Sequence, residues 1–524
     1  MAIPSPMRFA VPAVLLLLVS GTGCMVFAQS GVREEIEQMK KQLAAQQLQI
    51  DELRRMLGEQ TKRSAKAVPE TPKERPAASS PEHAIETVKA SPAADLGGMA
   101  IVPTGFVEFS QVWRSKTVPS GLPTNFAGIP FHNTVEGHRS QTLPSAANTR
   151  LGMQINTAFS GIRLLGVVET DFLGFQPGNI ATTTNSYGLR LRLAFADLHA
   201  GKWEFLGGQA WSLLTPGRKG ISALPSGLML TQDLDPNIQS GLVWGRIPQA
   251  RVVYRPTEGV ALGVSFESGT TYVGGSGGAG AITLPSALAP DYFKQVDMGV
   301  GGQGVPNPHS DLIAKIAFDP KVGGRSTHFE VAGLMNQYEF FNPLTSQRFS
   351  AVGGGVSLNA GMDITKKLTI LISNFYSNGG GRYIFGEAPA LIIRGNGAPS
   401  LVHSMSTMDG LEYQVRPKLK LWAYYGGTYI RKNVVIDPSN GKPVGYGYAG
   451  SPDSQNRSIQ EVTGGFTRIF WQNPAHGTLQ FSGQYSWLVR HPWSVASGKP
   501  ASANLNMLYL GLRYALPAAP PAAK

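Results

Sequence analysis

The chain has 524 residues, of which 15% are charged, against roughly 25% in an ordinary soluble domain. Gly reaches 62 and aromatics 9%, while past the N-terminus no stretch approaches the roughly 20 apolar residues of a membrane helix. This mixture argues against a soluble enzyme and against a helical membrane protein, and it fits strands with a single apolar face, as in a transmembrane β-barrel. The formal net charge of +12 points to anionic lipid or anionic solutes. Nucleic acid is set aside, because the basic residues stand singly among strand-like segments of an exported chain.

Residues 1–28 read as a signal peptide. Arg8 precedes an apolar core, Val11–Val19, too short to span a bilayer, and Val26-Phe27-Ala28 places small residues where signal peptidase reads them. Cleavage before Gln29 removes Cys24, the only cysteine, and leaves no disulfide or thiol chemistry. Acylation of Cys24 is the alternative, although Gly21-Thr22-Gly23-Cys24 lacks the Leu-type residue usual three places earlier.

Residues 32–57 predict a coiled coil. Ile36, Leu43, Ile50 and Leu57 fall at a, and Val32, Met39, Gln46 and Leu53 at d. So thin a seam is not stable as a single helix and calls for partner copies; an amphipathic helix packed on its own domain is the other reading. From 58 to 103 the chain is rich in Ala, Pro, Ser, Glu and Lys and reads as a flexible linker.

From 104 to 516 the period changes to two, with a short tail at 517–524. Thr478, Gln480, Ser482, Gln484 and Ser486 alternate with Leu479, Phe481, Tyr485 and Trp487. Leu508, Leu510, Leu512, Tyr514 and Leu516 share one face; Leu189, Leu191, Leu193 and Phe195 stand opposite Arg190 and Arg192. Counting such segments gives about sixteen strands. Short turns, at Ser160, 199–202, 256–259, 320–324, 363–366, 416–418 and 471–477, alternate with connections that are mostly long: 114–147, 213–241, 271–308, 378–401 and 432–457. Short turns at one end and long loops at the other are an outer-membrane pattern.

No catalytic constellation stands out, so neither an enzyme nor a cofactor is expected. The nine His have no metal-ligand spacing, and Gly274–Gly280 reads as a mobile loop, with no strand-to-helix context for phosphate binding. Asn456-Arg-Ser458 matches a glycosylation triplet, which means little in a bacterial-type export context. Alternation puts Arg150, Arg163, Arg190, Arg192 and Arg251 on polar faces, with Glu169 and Asp171 nearby. An Arg facing lipid costs about 2–4 kcal/mol at midplane, so these should face the lumen, where guanidinium forks suit carboxylates or phosphates. The structural alternative is that they pair with Glu169, Asp171, Asp197 and Glu204 and hold the wall together.

From Val32 onward the chain resembles the DcaP-like family of trimeric outer-membrane porins. The likeness is carried by the helical stripe, Thr104-Gly-Phe-Val-Glu-Phe109, Asn148-Thr-Arg-Leu-Gly152, Val168–Gly174, Leu191–Asp197 and Phe205–Ser212; the later strands match only in pattern. The resemblance implies a homotrimer in the bacterial outer membrane, a periplasmic coiled coil ahead of a sixteen-stranded barrel, and anionic solutes such as dicarboxylates. By analogy with general porins, the loop 213–241 would fold inward, and Arg218, Lys219, Asp233 and Asp235 would line a constriction; a surface loop is the competing reading. Many outer-membrane proteins end on Phe, whereas this chain continues past Leu516 to Lys524. The expected function is a diffusion channel for small anionic, carboxylate-type solutes. The alternative is a structural anchor that tethers the envelope, with peptidoglycan as a partner of the helix and linker.

Overall fold

Strands that are apolar on one face and polar on the other bury both faces favourably only when the polar side turns into a closed lumen. The computed structural model describes residues 94–95, 98–174, 188–225, 228–234, 238–275, 280–298, 307–384 and 387–517. The expected signal peptide, Cys24, the coiled-coil helix, most of the linker and the tail beyond Pro517 lie outside the described residues.

Sixteen antiparallel strands form the wall. They are β1 Met99–Arg114, β2 Arg150–Phe159, β3 Ile162–Asp171, β4 Arg190–Ala200, β5 Trp203–Trp211, β6 Arg246–Tyr254, β7 Val260–Glu267 and β8 Asp311–Phe318. There follow β9 Arg325–Asn342, β10 Gln347–Asp363, β11 Leu368–Asn378, β12 His403–Arg416, β13 Leu419–Ile430, β14 Asn456–Asn473, β15 Gly477–Pro492 and β16 Ala503–Ala515. Each pairs with its sequence neighbours, and β1 pairs with β16 from Phe106↔Ala515 to Arg114↔Met507. Closure satisfies the wall's backbone without an open edge.

The two faces are inverted relative to a soluble protein. Val264, Ile316, Val331, Leu358, Leu411, Leu421 and Leu512 are exposed, while Ser265, Lys315, Glu330, Ser357, Glu412, Thr463 and Gln484 on the alternate register are buried inside. Outward aromatics gather toward the short-turn end (Trp203, Phe318, Tyr413, Trp471, Tyr514) and toward the other end (Trp113, Tyr376, Tyr429, Tyr485, Trp487), as the two interfacial girdles of a barrel do. The two-residue turn between β2 and β3 has Ser160 at φ 48° and Gly161 at φ 79°, the pair of left-handed residues that a type I′ hairpin of matching twist requires. At the opposite end every connection is long except 343–346, where β9 and β10 continue as one tall hairpin.

Two expectations are corrected. The wall begins at Met99 rather than Thr104, despite Pro103. Residues Met99–Gly105 pair with β2 but not with β16, which ends level with Phe106; on that other side only Ala94–Asp95 pair, opposite Ile101 and Ala100, so Pro103 has an edge position that tolerates a residue with no N–H. The second concerns β4: Leu189 and Leu191 are exposed, but Leu193 and Phe195 are buried, on the arginines' side of the wall. A bulge at Glu169/Thr170 shifts the register and turns them inward, where they pack with Val167, Leu206 and Ala223.

The long loops fill much of the upper lumen. Val118, Leu122, Phe126 and Phe131 of the first pack under Leu505, Met507 and Tyr509 of β16. Leu213, Leu214 and Ile221 meet Ile282, Leu288 and Tyr292 around a single helical turn, α1 Ala289–Tyr292, together with Tyr383 and Leu391–Ile393. The glycine-rich segment is held at its flanks, with Val273 and Ile282 buried and the Gly280 amide donating to Ser454 O at 3.1 Å; residues 276–279 lie outside the described residues.

Candidate pore constriction

The described residues of the segment between β5 and β6, 212–225, 228–234 and 238–245, lie inside the barrel. It bonds along the far wall in turn. The Lys315 ammonium (β8) donates to Thr215 O at 2.7 Å, and the Gly217 amide donates to Glu330 (β9) at 3.0 Å. The Leu230 amide donates to the Tyr424 hydroxyl (β13) at 3.0 Å and the Thr231 hydroxyl to Gln484 (β15) at 3.0 Å. At its end the Ser240 amide donates to Glu461 (β14) at 2.9 Å. All these wall partners are on the buried, inward register.

Of the four loop residues singled out in the sequence, Arg218 donates to Glu412 (β12) at 2.6 Å and to Leu228 O at 3.0 Å. Lys219 is exposed beside it. Asp233 is buried and accepts from Gln484 at 2.9 Å; burial, then the nearby Glu461, pushes its carboxyl well above the usual carboxylate range. Asp235 lies outside the described residues.

The loop's return is latched by carboxylates. The Gly241 amide and Ser240 hydroxyl each donate to Glu387 at 3.3 Å, and the Thr428 hydroxyl donates to the same carboxylate. Burial pushes Glu387 from its ordinary 4.5 up to about 8, with Glu461 as the facing charge that adds to it. A value raised on folding means that the stability this group contributes is complete below its unfolded value and is lost as pH rises through about 8. We expect the loop to loosen on going from about pH 6 to about pH 9, read as rising single-channel current noise, and Glu387→Gln to flatten that dependence. Identical profiles for the two proteins would refute the latch.

Between this loop and the wall is a cavity of about 190 Å³, lined by Arg218, Lys219, Ser222, Arg251, Lys315 and Glu330 among others, with room for several waters. Arg218 is tied to Glu412, and Lys315 to Glu330 at 3.0 Å. Arg251 differs. It is 3% exposed, and its Nε and Nη2 have no hydrogen-bond partner. Glu204, Glu267 and Asp197 attract it electrostatically without taking up those donors. Orphaned buried donors are costly, and Arg251 is also one of the residues that line the cavity.

The arginines of β2–β4 form a different arrangement. Arg190 grips Asp171 in a fork, Nε–Oδ1 3.0 Å and Nη2–Oδ2 2.7 Å. Arg192 bridges Asp171 and Glu169 at 2.8 Å each, and Arg150 lies 3.6 Å from Glu169. Arg163, toward the short-turn end, is exposed. The structure therefore brings Arg150, Glu169, Asp171, Arg190 and Arg192 into one ladder, away from the Arg251 cavity's lining. Sequence reasoning missed Lys315, Glu330 and Glu412. Their signal was present, since Lys315 alternates with outward Ile316 and Glu412 with outward Leu411 and Tyr413.

Among the described residues, Asp197, His199 and Glu204 bring three metal-type ligand atoms within 4.8 Å of one another. Arg255 holds Glu204 at 2.5 Å and His199 lies 3.1 Å from Asp197, so side chains of this chain already occupy that place.

Known structures share this architecture. The crystal structure of the outer membrane channel DcaP of Acinetobacter baumannii superposes with a TM-score of 0.58 at 19% identity, over 81% of this chain and 99% of that one. An anion-selective porin from Comamonas acidovorans gives 0.42 at 12% identity, over 80% and 99%. OmpF of Salmonella typhi gives 0.43 at 9% identity, over 80% and 98%. No protein-family profile and no curated protein matches the chain. The likeness is one of fold: this chain has the closed sixteen-stranded barrel of a DcaP-like channel.

Proposed function

We propose that this chain is a porin of the bacterial outer membrane through which small, preferentially anionic, carboxylate-type solutes diffuse. The carrying observation is Arg251, whose buried guanidinium presents two orphaned donors beside a cavity that also holds Arg218, Lys219 and Lys315. A guanidinium fork matches a carboxylate in plane and spacing, and fixed cations in a narrow lumen attract anions. The barrel likeness supports the channel reading, and a pure anchor gives no use to such donors. On this reading Arg218, Lys219, Asp233 and Asp235 belong to the constriction, and Arg150, Arg163, Glu169, Arg190 and Arg192 line the approach to it. Purified protein in planar bilayers across a KCl gradient should show stepwise conductance and an anion-selective reversal potential. No conductance would overturn the channel, and cation selectivity would overturn the preference.

The two ends of the barrel wall, β1 at Met99 and β16 at Ala515, both lie at the short-turn end, which in outer-membrane barrels is periplasmic. The heptad stripe at 32–57 is proposed to join three copies there, within reach of peptidoglycan. Deleting Val32–Leu57 should leave barrels that fold but sediment as smaller species; an unchanged trimer would refute the clamp.

A further inference from the structure

The long-loop rim has a basic notch that shares no lining residue with the cavity around Arg251. The β10–β11 ladder stops at Gly354↔Asn378, so Gln347–Gly353 rises above the ends of β11 and β12. Two loops close on this gap. They contribute Arg394 and Ser400 from 379–402, and Arg431, Lys432 and Asn433 from 431–455, around a cavity of about 540 Å³ that His403 of β12 also lines. The Asn433 side-chain amide donates to Leu401 O at 2.8 Å and ties the two loops together.

Its charge is one-sided. Four of the lining residues are Arg394, His403, Arg431 and Lys432, and none is acidic. Arg394 and Arg431 are exposed; Arg394 donates a long 3.4 Å bond to Ser400, and Lys432 lies over the Trp493 ring at 5.8 Å. Glu339, on the neighbouring β9, is held by Arg348 at 2.7 Å. The notch also has a defined height. His403 is on the outward register, paired with Asn378, one step beyond Met405, which pairs with Tyr376 and Tyr429. Both tyrosines are exposed on the outer wall, and the Tyr376 hydroxyl lies 2.8 Å from His403 Nδ1. Interfacial tyrosines mark the headgroup boundary, so the cations stand at the level of lipid phosphates.

We propose that this notch binds the phosphate group of a phosphorylated outer-leaflet glycolipid. Two guanidinium groups and an ammonium can share one phosphate's oxygens through charge-assisted bonds, while the acyl chains lie along Met405 and Val356, both exposed on the same wall at the level of Tyr376. This rests on the outer-membrane reading, which places the long-loop end outside.

The test uses full-length protein in nanodiscs and three probes: bis-phosphorylated lipid A, its dephosphorylated form and inorganic phosphate. The comparison protein is the triple variant Arg394→Gln, Arg431→Gln, Lys432→Gln. Wild type should retain the bis-phosphorylated lipid, with retention falling about tenfold or more both in the variant and for the dephosphorylated probe. Equal retention in either case overturns the proposal, and displacement by inorganic phosphate as effective as by lipid A reassigns the notch to a soluble ligand and overturns the lipid source. Single-channel conductance of the variant should match wild type, which shows that the barrel is intact. A conductance failure in both proteins instead strikes the porin reading and leaves the lipid result standing on its own.

Discussion

Gly241→Ala should release the inward loop and raise single-channel conductance. Gly241 sits at φ +80°, and a Cβ there would stand 2.3 Å from Thr407 O and 2.7 Å from Gly427 O. Both carbonyls belong to β12 and β13, which are pinned in the ladder on either side and cannot retreat. The facing glycine is equally constrained, since a Cβ on Gly426 would come within 1.9 Å of Ser240 O. A left-handed backbone alone costs an Ala about 1–2 kcal/mol, and the contact with fixed backbone adds to it. The loop must therefore lift, which breaks the bonds from Ser240 and Gly241 to Glu461 and Glu387, worth roughly 1–3 kcal/mol each when the partner stays buried. The wall does not depend on these contacts, so the barrel should still fold. The expected results are larger and noisier conductance steps and a protease-sensitive site within 212–245. Wild-type conductance together with an intact loop would show that the close approach does not hold it. Gly426→Val, on the other side of the contact, should reproduce the phenotype.

How much of this was legible depends on the range of the forces involved. Barrel strands were readable wherever alternation survived intact. Ser482, Gln484 and Ser486 are buried while Tyr485 and Trp487 are exposed, as the period of two requires. Alternation failed at Leu193 and Phe195, because a bulge is set by the partner strand and leaves no local mark in the sequence. It was also ambiguous in β16, where Leu505, Met507 and Tyr509 are as apolar as the outward Leu508 and Leu512; only the first loop, folded back inside, explains an apolar inner face. The same holds for Leu213-Leu214 and Leu391–Ile393, whose burial needs the other loops around them. Arg218 and Glu412 are 194 positions apart, a pairing that no spacing rule reaches. Arg251 was placed on a polar face from its neighbours alone. That its donors stand unpartnered could only come from the folded chain.

That distinction makes Arg251 the most informative single position for selectivity. A unit charge at about 4 Å contributes about 1 kcal/mol in water-like surroundings, and more where the lumen is narrow and partly dry. Removing it with Arg251→Gln should lower the anion-to-cation permeability ratio roughly fivefold, read as a reversal-potential shift in a KCl gradient at low salt, where screening is weakest. The substitution also leaves Glu204, Glu267 and Asp197 less compensated, so some loss of stability is expected as well. Arg251→Lys separates the two consequences. It keeps the charge and therefore most of the KCl selectivity, but it lacks the planar fork, so discrimination of small carboxylates over chloride should fall. If Lys restores neither, the charge of Arg251 acts on the wall and not on the solute. If Gln leaves the reversal potential where it was, the cavity is not on the conduction path, and the paired ladder of Arg190 and Arg192, still 29% and 4% exposed, becomes the next place to look through Arg190→Ala with Arg192→Ala.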